Sequence, residues 1–259
     1  MPKVFFHPDI DYQDIKSLEN KYNSKIENFL AEKASRIIEK EIINFLDRKK
    51  RILFICGPGS NGLDGILVAR NLYEKKYNLN ILMNQNDLHK DYILKYDLSD
   101  TIIDNLDFDS FDCIVDCIFG YGINRNLKSS DIKLVNLINQ SRATVISVDI
   151  PTGVDPSTGG LLPVGVNCDL LITLLTYKKG IFTNKGRDSW KLLSFSRLVN
   201  ERISSNNYLL TANKDFNDTS IDDLKTMEFE QKNNYSGHKK SNGTSCIIAG
   251  ESPYHGALI

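Results

Sequence analysis

The sequence predicts a doubly wound, Rossmann-like α/β fold: a parallel sheet with helices on both faces, preceded by a helical segment at the N-terminus. Three observations lead there. Apolar runs of strand length recur at "RILFIC" (51–56), "LNILMN" (79–84), "FDCIVDCIFG" (111–120), "ATVISVDIPTG" (143–153) and "CDLLITLL" (168–175). Near-continuous runs of this kind belong to strands buried on both faces, as parallel strands are. Helical periodicity fills much of the space between them, and several runs end in glycine or in an Asp-x-Pro-x-Gly turn.

Residues 11–48 read as helix. Ile26, Phe29, Leu30, Ala34, Ile37, Ile38, Ile42, Phe45 and Leu46 fall at helical spacing with Lys and Glu between them. From Arg51 the pattern becomes strand, glycine turn, helix and strand: "RILFIC", "GPGSNG", "LDGILVARNLYEKK", "LNILMN". That is a βαβ unit, whose handedness forces a parallel pair. "SSDIKLVNLINQS" is a further helix between the runs at 111–120 and 143–153. The α/β domain is expected over residues 1–210. A polar stretch, 211–235, reads as a linker, and 236–259 begins a new strand and glycine turn that stops too soon to build a domain.

Charge narrows the function classes. The 32 basic and 33 acidic residues nearly cancel, so no nucleic-acid or anionic-membrane footprint is expected. "MPKVFFHPDIDYQD" does not resemble a signal peptide, and no run is long enough to span a bilayer. Five scattered cysteines, Cys56, Cys113, Cys117, Cys168 and Cys246, fit reduced thiols and a cytoplasmic location. Cys113 and Cys117 share a strand face and are read as small buried hydrophobes, not a metal pair.

Ligands of open α/β sheets bind beyond the carboxyl ends of the strands. Those ends carry Gly57, Gly59, Gly62 and Asp64, then Asp116, Gly120 and Gly122, then Asp149 and Thr152. Gly57-Pro-Gly59-Ser-Asn-Gly62 is formally a G-x-G-x-x-G between strand and helix, which suits a pyrophosphate. A dinucleotide-dependent oxidoreductase also calls for an acid at the second strand's tip. Asn84 stands there instead, with Asp87 already beyond it. Asp64 at a helix N-terminus, Asp116 capping a loop and Asp149 in an Asx turn each have a local explanation. Three carboxylates gathered in one crevice ask for a task or a cation.

Together these motifs resemble one family. "CGPGSNGLDG" is similar to the G-P-G-N-N-G-G-D-G loop of the NAD(P)H-hydrate epimerases, the YjeF N-terminal domain family. "DCIVDCIFGYGINRNL" resembles its V-D-A-L-F-G-T-G-L segment, and "VISVDIPTGVDPSTG" its V-D-I-P-S-G-x-D-x-x-T-G. The resemblance covers residues 10–200 and implies an isomerase acting on NADH or NADPH hydrated at nicotinamide C6. It implies a potassium ion held by Asn61, Asp116 and Thr152. It also implies a nucleotide held by Ser60, Asn61, Gly62, Leu63 and Asp64, by Gly120, Tyr121, Gly122, Ile123, Asn124, Arg125 and Asn126, and by Asp149. Oxygen ligands of amide, carboxylate and hydroxyl type suit a large hard cation.

Epimerisation of a hemiaminal needs one group that gives and recovers a proton. Asp149 is assigned that role, with Asp64 positioning ring or water. The chain departs from the family at Ser60, at Leu63 in place of a glycine, and at "FLAEKAS" where L-M-E-x-A-G is usual. "TYKKG" resembles a family K-P-G with Lys178 at the lysine, and its simpler reading is a solvated basic turn. The tail "GHKKSNGTSCIIAGESPYHGA" resembles the opening of the ADP-dependent NAD(P)H-hydrate dehydratases, a ribokinase-like family. That makes a truncated second domain the expectation for 236–259, without dehydratase activity in this chain. Relatives suggest a homodimer. The rivals are a dinucleotide-dependent oxidoreductase and a non-catalytic binding module of the same domain family.

Overall fold

The computed structural model describes residues 5–8, 12–23, 29–84, 89–104, 107–198 and 208–211. Along the chain run β1 (Phe5–Pro8), α1 (Tyr12–Asn23), α2 (Phe29–Phe45), β2 (Ile52–Cys56), α3 (Ser60–Glu74), β3 (Leu79–Met83) and α4 (Lys90–Lys95). There follow β4 (Cys113–Cys117), α5 (Ser129–Gln140), β5 (Thr144–Val148), β6 (Cys168–Leu174), α6 (Asn184–Asp188), β7 (Trp190–Ser196) and β8 (Tyr208–Thr211).

Six strands form one sheet in the order β3-β2-β4-β5-β6-β7, and every pairing in it is parallel. This is the doubly wound architecture the apolar runs predict. β2, β4 and β5 pair in the register Ile52↔Cys113 and Cys113↔Thr144, so their carboxyl ends finish level with one another. β1 and β8 form a separate antiparallel pair.

Strand residues alternate between two cores because successive side chains point to opposite faces. Ile52, Phe54, Cys56, Val115, Ile146 and Ile172 pack with Ile38 and Ile42 of α2 and Ile66 and Ala69 of α3. Leu53, Ile55, Ile114, Val145 and Leu171 face the other way, onto Leu134, Val135 and Ile138 of α5. Each fully buried Ile or Leu contributes about 1.5–3 kcal/mol. Cys56, Cys113, Cys117 and Cys168 are buried and unpaired, and burial pushes their thiols upward, so they pack as small apolar groups.

The structure departs from expectation at several points. The stretch 11–48 holds two helices, α1 and α2, with 24–28, and hence Ile26, outside the described residues. α3 begins at Ser60, three residues before the first apolar residue of its pattern. β7 was not expected: "WKLLSFS" mixes buried Trp190 and Leu193 with exposed Lys191, as suits the sheet's edge. β1, β8 and α4 were not expected either. Asp87, the linker 211–235 apart from Thr211, and the segment 236–259 lie outside the described residues. Among the described residues no helix is long and apolar enough to cross a membrane.

Candidate functional site

After β2 the chain turns outward to β3 at the sheet's edge and then returns to β4 on the other side, so the switch point lies between β2 and β4. Glycines shape the loop there. A Cβ on Gly57 would meet the Ile118 carbonyl oxygen at 1.8 Å, and one on Gly62 would meet the Gly57 carbonyl oxygen at 1.8 Å. Both are therefore packing glycines. They let the loop 57–62 fold onto the β4 loop, where Gly57 N–H donates to Cys117 O at 3.0 Å. Gly59, at the N-cap of α3, has open space around its missing side chain.

A cavity of about 440 Å³ opens above this switch point. Ser60, Asn61, Leu63 and Asp64 line it from the loop and α3, and Gly120, Tyr121, Gly122, Ile123, Asn124 and Arg125 line it from the segment after β4. Asp149 and Lys178 enter from the ends of β5 and β6, while Ile15, Leu30, Ala34 and Leu174 supply an apolar wall.

Asp149 adopts φ +71, which a non-glycine residue holds only where its surroundings impose it. Its backbone N–H donates to Ile172 O at 2.7 Å. Its Oδ2 accepts from Tyr121 N–H at 2.8 Å. Its Oδ1 accepts from the Lys178 ammonium, which also donates to Leu174 O at 2.7 Å and Thr173 Oγ1 at 3.2 Å. Lys178 has only 2 % of its side chain exposed against 19 % for Asp149. The carboxylate is thus fixed on both oxygens and still reaches solvent. Gly120 allows this, since a Cβ there would stand 2.9 Å from Asp149 Oδ2.

Beneath the cavity lies a second polar cluster. Asp116 is fully buried, and burial raises its carboxyl above the usual range despite the donors around it. Thr152 donates to it twice, from Oγ1 at 2.7 Å and from N–H at 2.9 Å. Ser147 Oγ donates at 2.9 Å and Ile118 N–H at 3.3 Å. Thr152 Oγ1 in turn accepts from Phe119 N–H at 3.1 Å. Asn61 Nδ2 donates to Val148 O at 3.3 Å, which leaves Asn61 Oδ1 buried with no hydrogen-bond partner. An orphaned amide oxygen at a polar, buried position calls for a cation or a donor. Among the described residues, no three His, Cys, Asp or Glu side chains group as transition-metal ligands would. The groups here are neutral oxygens and one carboxylate, a set that suits a hard cation better than a soft one.

Of the site residues expected from sequence, Ser60, Asn61, Leu63, Asp64, Asp149 and 120–125 line one cavity. Asp116 and Thr152 are instead buried below its floor, and Gly62 and Asn126 do not line it. The three carboxylates therefore do not share one crevice: Asp64 and Asp149 do, and Asp116 lies beneath. The reading of Lys178 as a solvated turn is corrected, because the chain folds back after β6 and buries it against Asp149. Ser147, on a strand read only as apolar, was missed as a partner of Asp116. Asn84, at the tip where a dinucleotide enzyme carries its acid, donates to Asp131 Oδ1 at 3.2 Å.

Residues 27–180 match the family model described as YjeF-related protein N-terminus. An NAD(P)H-hydrate epimerase of Limosilactobacillus fermentum is 30% identical over 165 residues, covering 61% of this chain and 79% of the relative. A bifunctional NAD(P)H-hydrate repair enzyme of Methanopyrus kandleri is 28% identical over 249 residues, covering 89% of this chain, which spans 46% of that relative's length. The crystal structure of yeast ynu0, YNL200c, superposes with a TM-score of 0.58 at 17% identity, over 72% of this chain and 88% of the yeast chain.

Proposed function

Because the chain belongs to the YjeF-related protein N-terminus family, we propose that it is an isomerase, an NAD(P)H-hydrate epimerase that interconverts the R and S forms of hydrated NADH and NADPH. The observation that carries this reading is Asp149, held at φ +71 with both oxygens bonded and its carboxylate directed at the cavity.

Hydration leaves a hydroxyl on nicotinamide C6 beside the ring nitrogen. The proton that Lys178 shares with Asp149 Oδ1 passes through Asp149 to that hydroxyl, the nitrogen lone pair forms a C=N bond, and water departs, leaving the Lys178–Asp149 pair one proton short. A second water adds to either face of C6 and returns its extra proton to Asp149. Lys178 holds the working proton close to Asp149 Oδ1, and Tyr121 N–H fixes the other oxygen so that the carboxyl keeps one orientation through the cycle. Asp64 faces the same space and orients ring or water. Ser60, Asn61, Leu63 and the segment 120–125 hold the nucleotide, with Gly62 and Asn126 shaping those loops. One rigid carboxyl serving both faces of a planar intermediate is the arrangement an epimerase needs.

Asn61 Oδ1, Asp116 and Thr152 Oγ1 would hold a potassium ion. When bound, it would offset the charge of buried Asp116 and tie the loop 57–62 to the ends of β4 and β5. A near-neutral overall charge and free cysteines among the described residues support a cytoplasmic protein that does not bind nucleic acid or membrane, and the family resemblance of the sequence carries the homodimer. Residues 236–259 are assigned as the start of a second, dehydratase-type domain, with 1–210 as the epimerase domain and 211–235 as linker. The similarity of "GHKKSNGTSCIIAGESPYHGA" to the opening of the ADP-dependent dehydratases carries this assignment.

The test is chiral separation of hydrated NADH after incubation with the protein, in potassium and then in sodium at equal ionic strength. Interconversion that is faster with protein and fastest in potassium supports the reading. Equal rates with and without protein refute it.

A further inference from the structure

Departure of water from C6 changes the charge of the substrate's ring. Hydrated NADH has a neutral ring, whereas the C=N bond formed by the nitrogen lone pair leaves a planar cation spread over the ring nitrogen and C6. Groups that meet charge present in the intermediate and absent from the ground state are the ones that raise the rate. The lining of the cavity holds two kinds of group suited to this cation. Asp64 and the Lys178–Asp149 pair, one proton short at that stage, supply negative charge. Tyr121 supplies an aromatic ring.

Tyr121 N–H donates to Asp149 Oδ2 at 2.8 Å, so the aromatic ring and the proton donor are held from one residue. Tyr121 is half-buried and packs against the apolar cluster that contains Ile15, Leu30, Leu174 and Leu198, residues that also line the cavity. It therefore sits on the apolar wall where C6 must approach Asp149. A desolvated setting strengthens the attraction between a cation and an aromatic face. Phe119, the other aromatic among the described residues of the lining, packs against the opposite core, and its ring is faced by the Arg125 guanidinium at 5.6 Å. The family segment V-D-A-L-F-G-T-G-L has threonine where this chain has Tyr121, so the motif itself does not call for an aromatic here.

We propose that Tyr121 is a catalytic residue whose ring face stacks on the nicotinamide ring and stabilises the cation formed when water leaves. The assignment rests on the epimerase reading for the identity of the substrate. It also gives the site a preference for a planar pyridinium, so oxidised NAD should compete with hydrated NADH and bind more tightly than NADH.

Tyr121→Leu keeps the backbone N–H that holds Asp149 and removes the aromatic face. With hydrated NADH its kcat should fall about tenfold, with KM within about threefold, because the ground-state ring is neutral. Tyr121→Phe and its analogues bearing one, two and three ring fluorines keep the size while draining electron density from the face, so kcat should decline stepwise with each fluorine. Calorimetric affinities for oxidised NAD and NADH, which differ by one hydride and the charge of the nicotinamide ring, should favour oxidised NAD in the native protein. Tyr121→Leu should shrink that preference about tenfold. Equal kcat across the fluorinated series, a loss confined to KM, or a preference unchanged by Tyr121→Leu would overturn the assignment. Should Tyr121→Leu not fold, the fluorinated series decides. Should the native protein not epimerise, the functional reading fails separately, and the affinity ratio alone decides whether Tyr121 recognises a cationic ring.

Discussion

Replacing Lys178 with methionine keeps the length of the side chain and removes its charge. In the native protein the ammonium serves three acceptors at once: Asp149 Oδ1, Leu174 O and Thr173 Oγ1. The variant leaves the buried Leu174 carbonyl without that donor and Asp149 with Tyr121 N–H as its remaining partner among those described above. Breaking a fully buried ion pair costs about 3–5 kcal/mol. Asp149 keeps 19 % of its side chain exposed, so water recovers part of this, and about 2–3 kcal/mol is expected. For a domain of this size, that lowers Tm by roughly 5–10 °C. The epimerisation rate should fall about 100-fold, since a positioned proton donor contributes on that order. The stability part is separable by a double-mutant cycle. Adding Asp149→Asn to Lys178→Met removes the unpaired charge, so the double variant should be more stable than the sum of the two single losses. Thermal unfolding followed by circular dichroism measures the cycle, and chiral chromatography the rate. Strict additivity, or a methionine variant with native stability and rate, would refute the coupling of Lys178 to Asp149.

Gly120→Ala puts a Cβ 2.9 Å from Asp149 Oδ2 and 3.3 Å from Asn61 Cβ; overpacking of this kind costs about 1–3 kcal/mol, and the rate should drop at least tenfold, read by the same two assays. Thr152→Val removes the hydroxyl that binds Asp116, so stability should fall by about 1–3 kcal/mol and the potassium dependence of the rate should flatten, whereas Thr152→Ser should keep both. Glu32 is held below the usual carboxylate range by its bidentate bond to Arg70. A depressed carboxylate contributes stability above its unfolded value of about 4.5. That contribution is lost as pH falls through the lower folded value, so Glu32→Gln should reduce Tm by a few degrees at pH 7 and by progressively less below pH 4.5.

The sheet was legible because its strands are buried on both faces, and "RILFIC" or "CDLLITLL" leaves little choice but a covered parallel strand. β7 was not, because at the sheet's edge it alternates Lys191 and Ser194 with apolar residues and loses that signature. The loops of the site were legible through motifs, and Gly57 and Gly62 prove to be required by backbone contacts a reader of sequence cannot see. Depth was not legible. Asp116 and Asp149 both follow apolar runs, yet one faces inward among donors while the other is turned outward by its positive φ. Lys178 looked like a surface lysine because its neighbour Lys179 is one. Its burial comes from the path after β6, where Leu175 takes φ +66 and the chain turns back under Asp149.

The central claim is that Asp149 drives departure and return of water at C6, and isotope exchange tests it most directly. Hydrated NADH of one epimer is incubated with the native protein and with Asp149→Asn in water enriched in oxygen-18, and both epimers are collected over time for mass spectrometry. The mechanism predicts that every molecule converted to the other epimer carries one labelled oxygen, and that the asparagine variant slows labelling and conversion together. Conversion that retains the original oxygen, or an asparagine variant that labels and converts at the native rate, would contradict it.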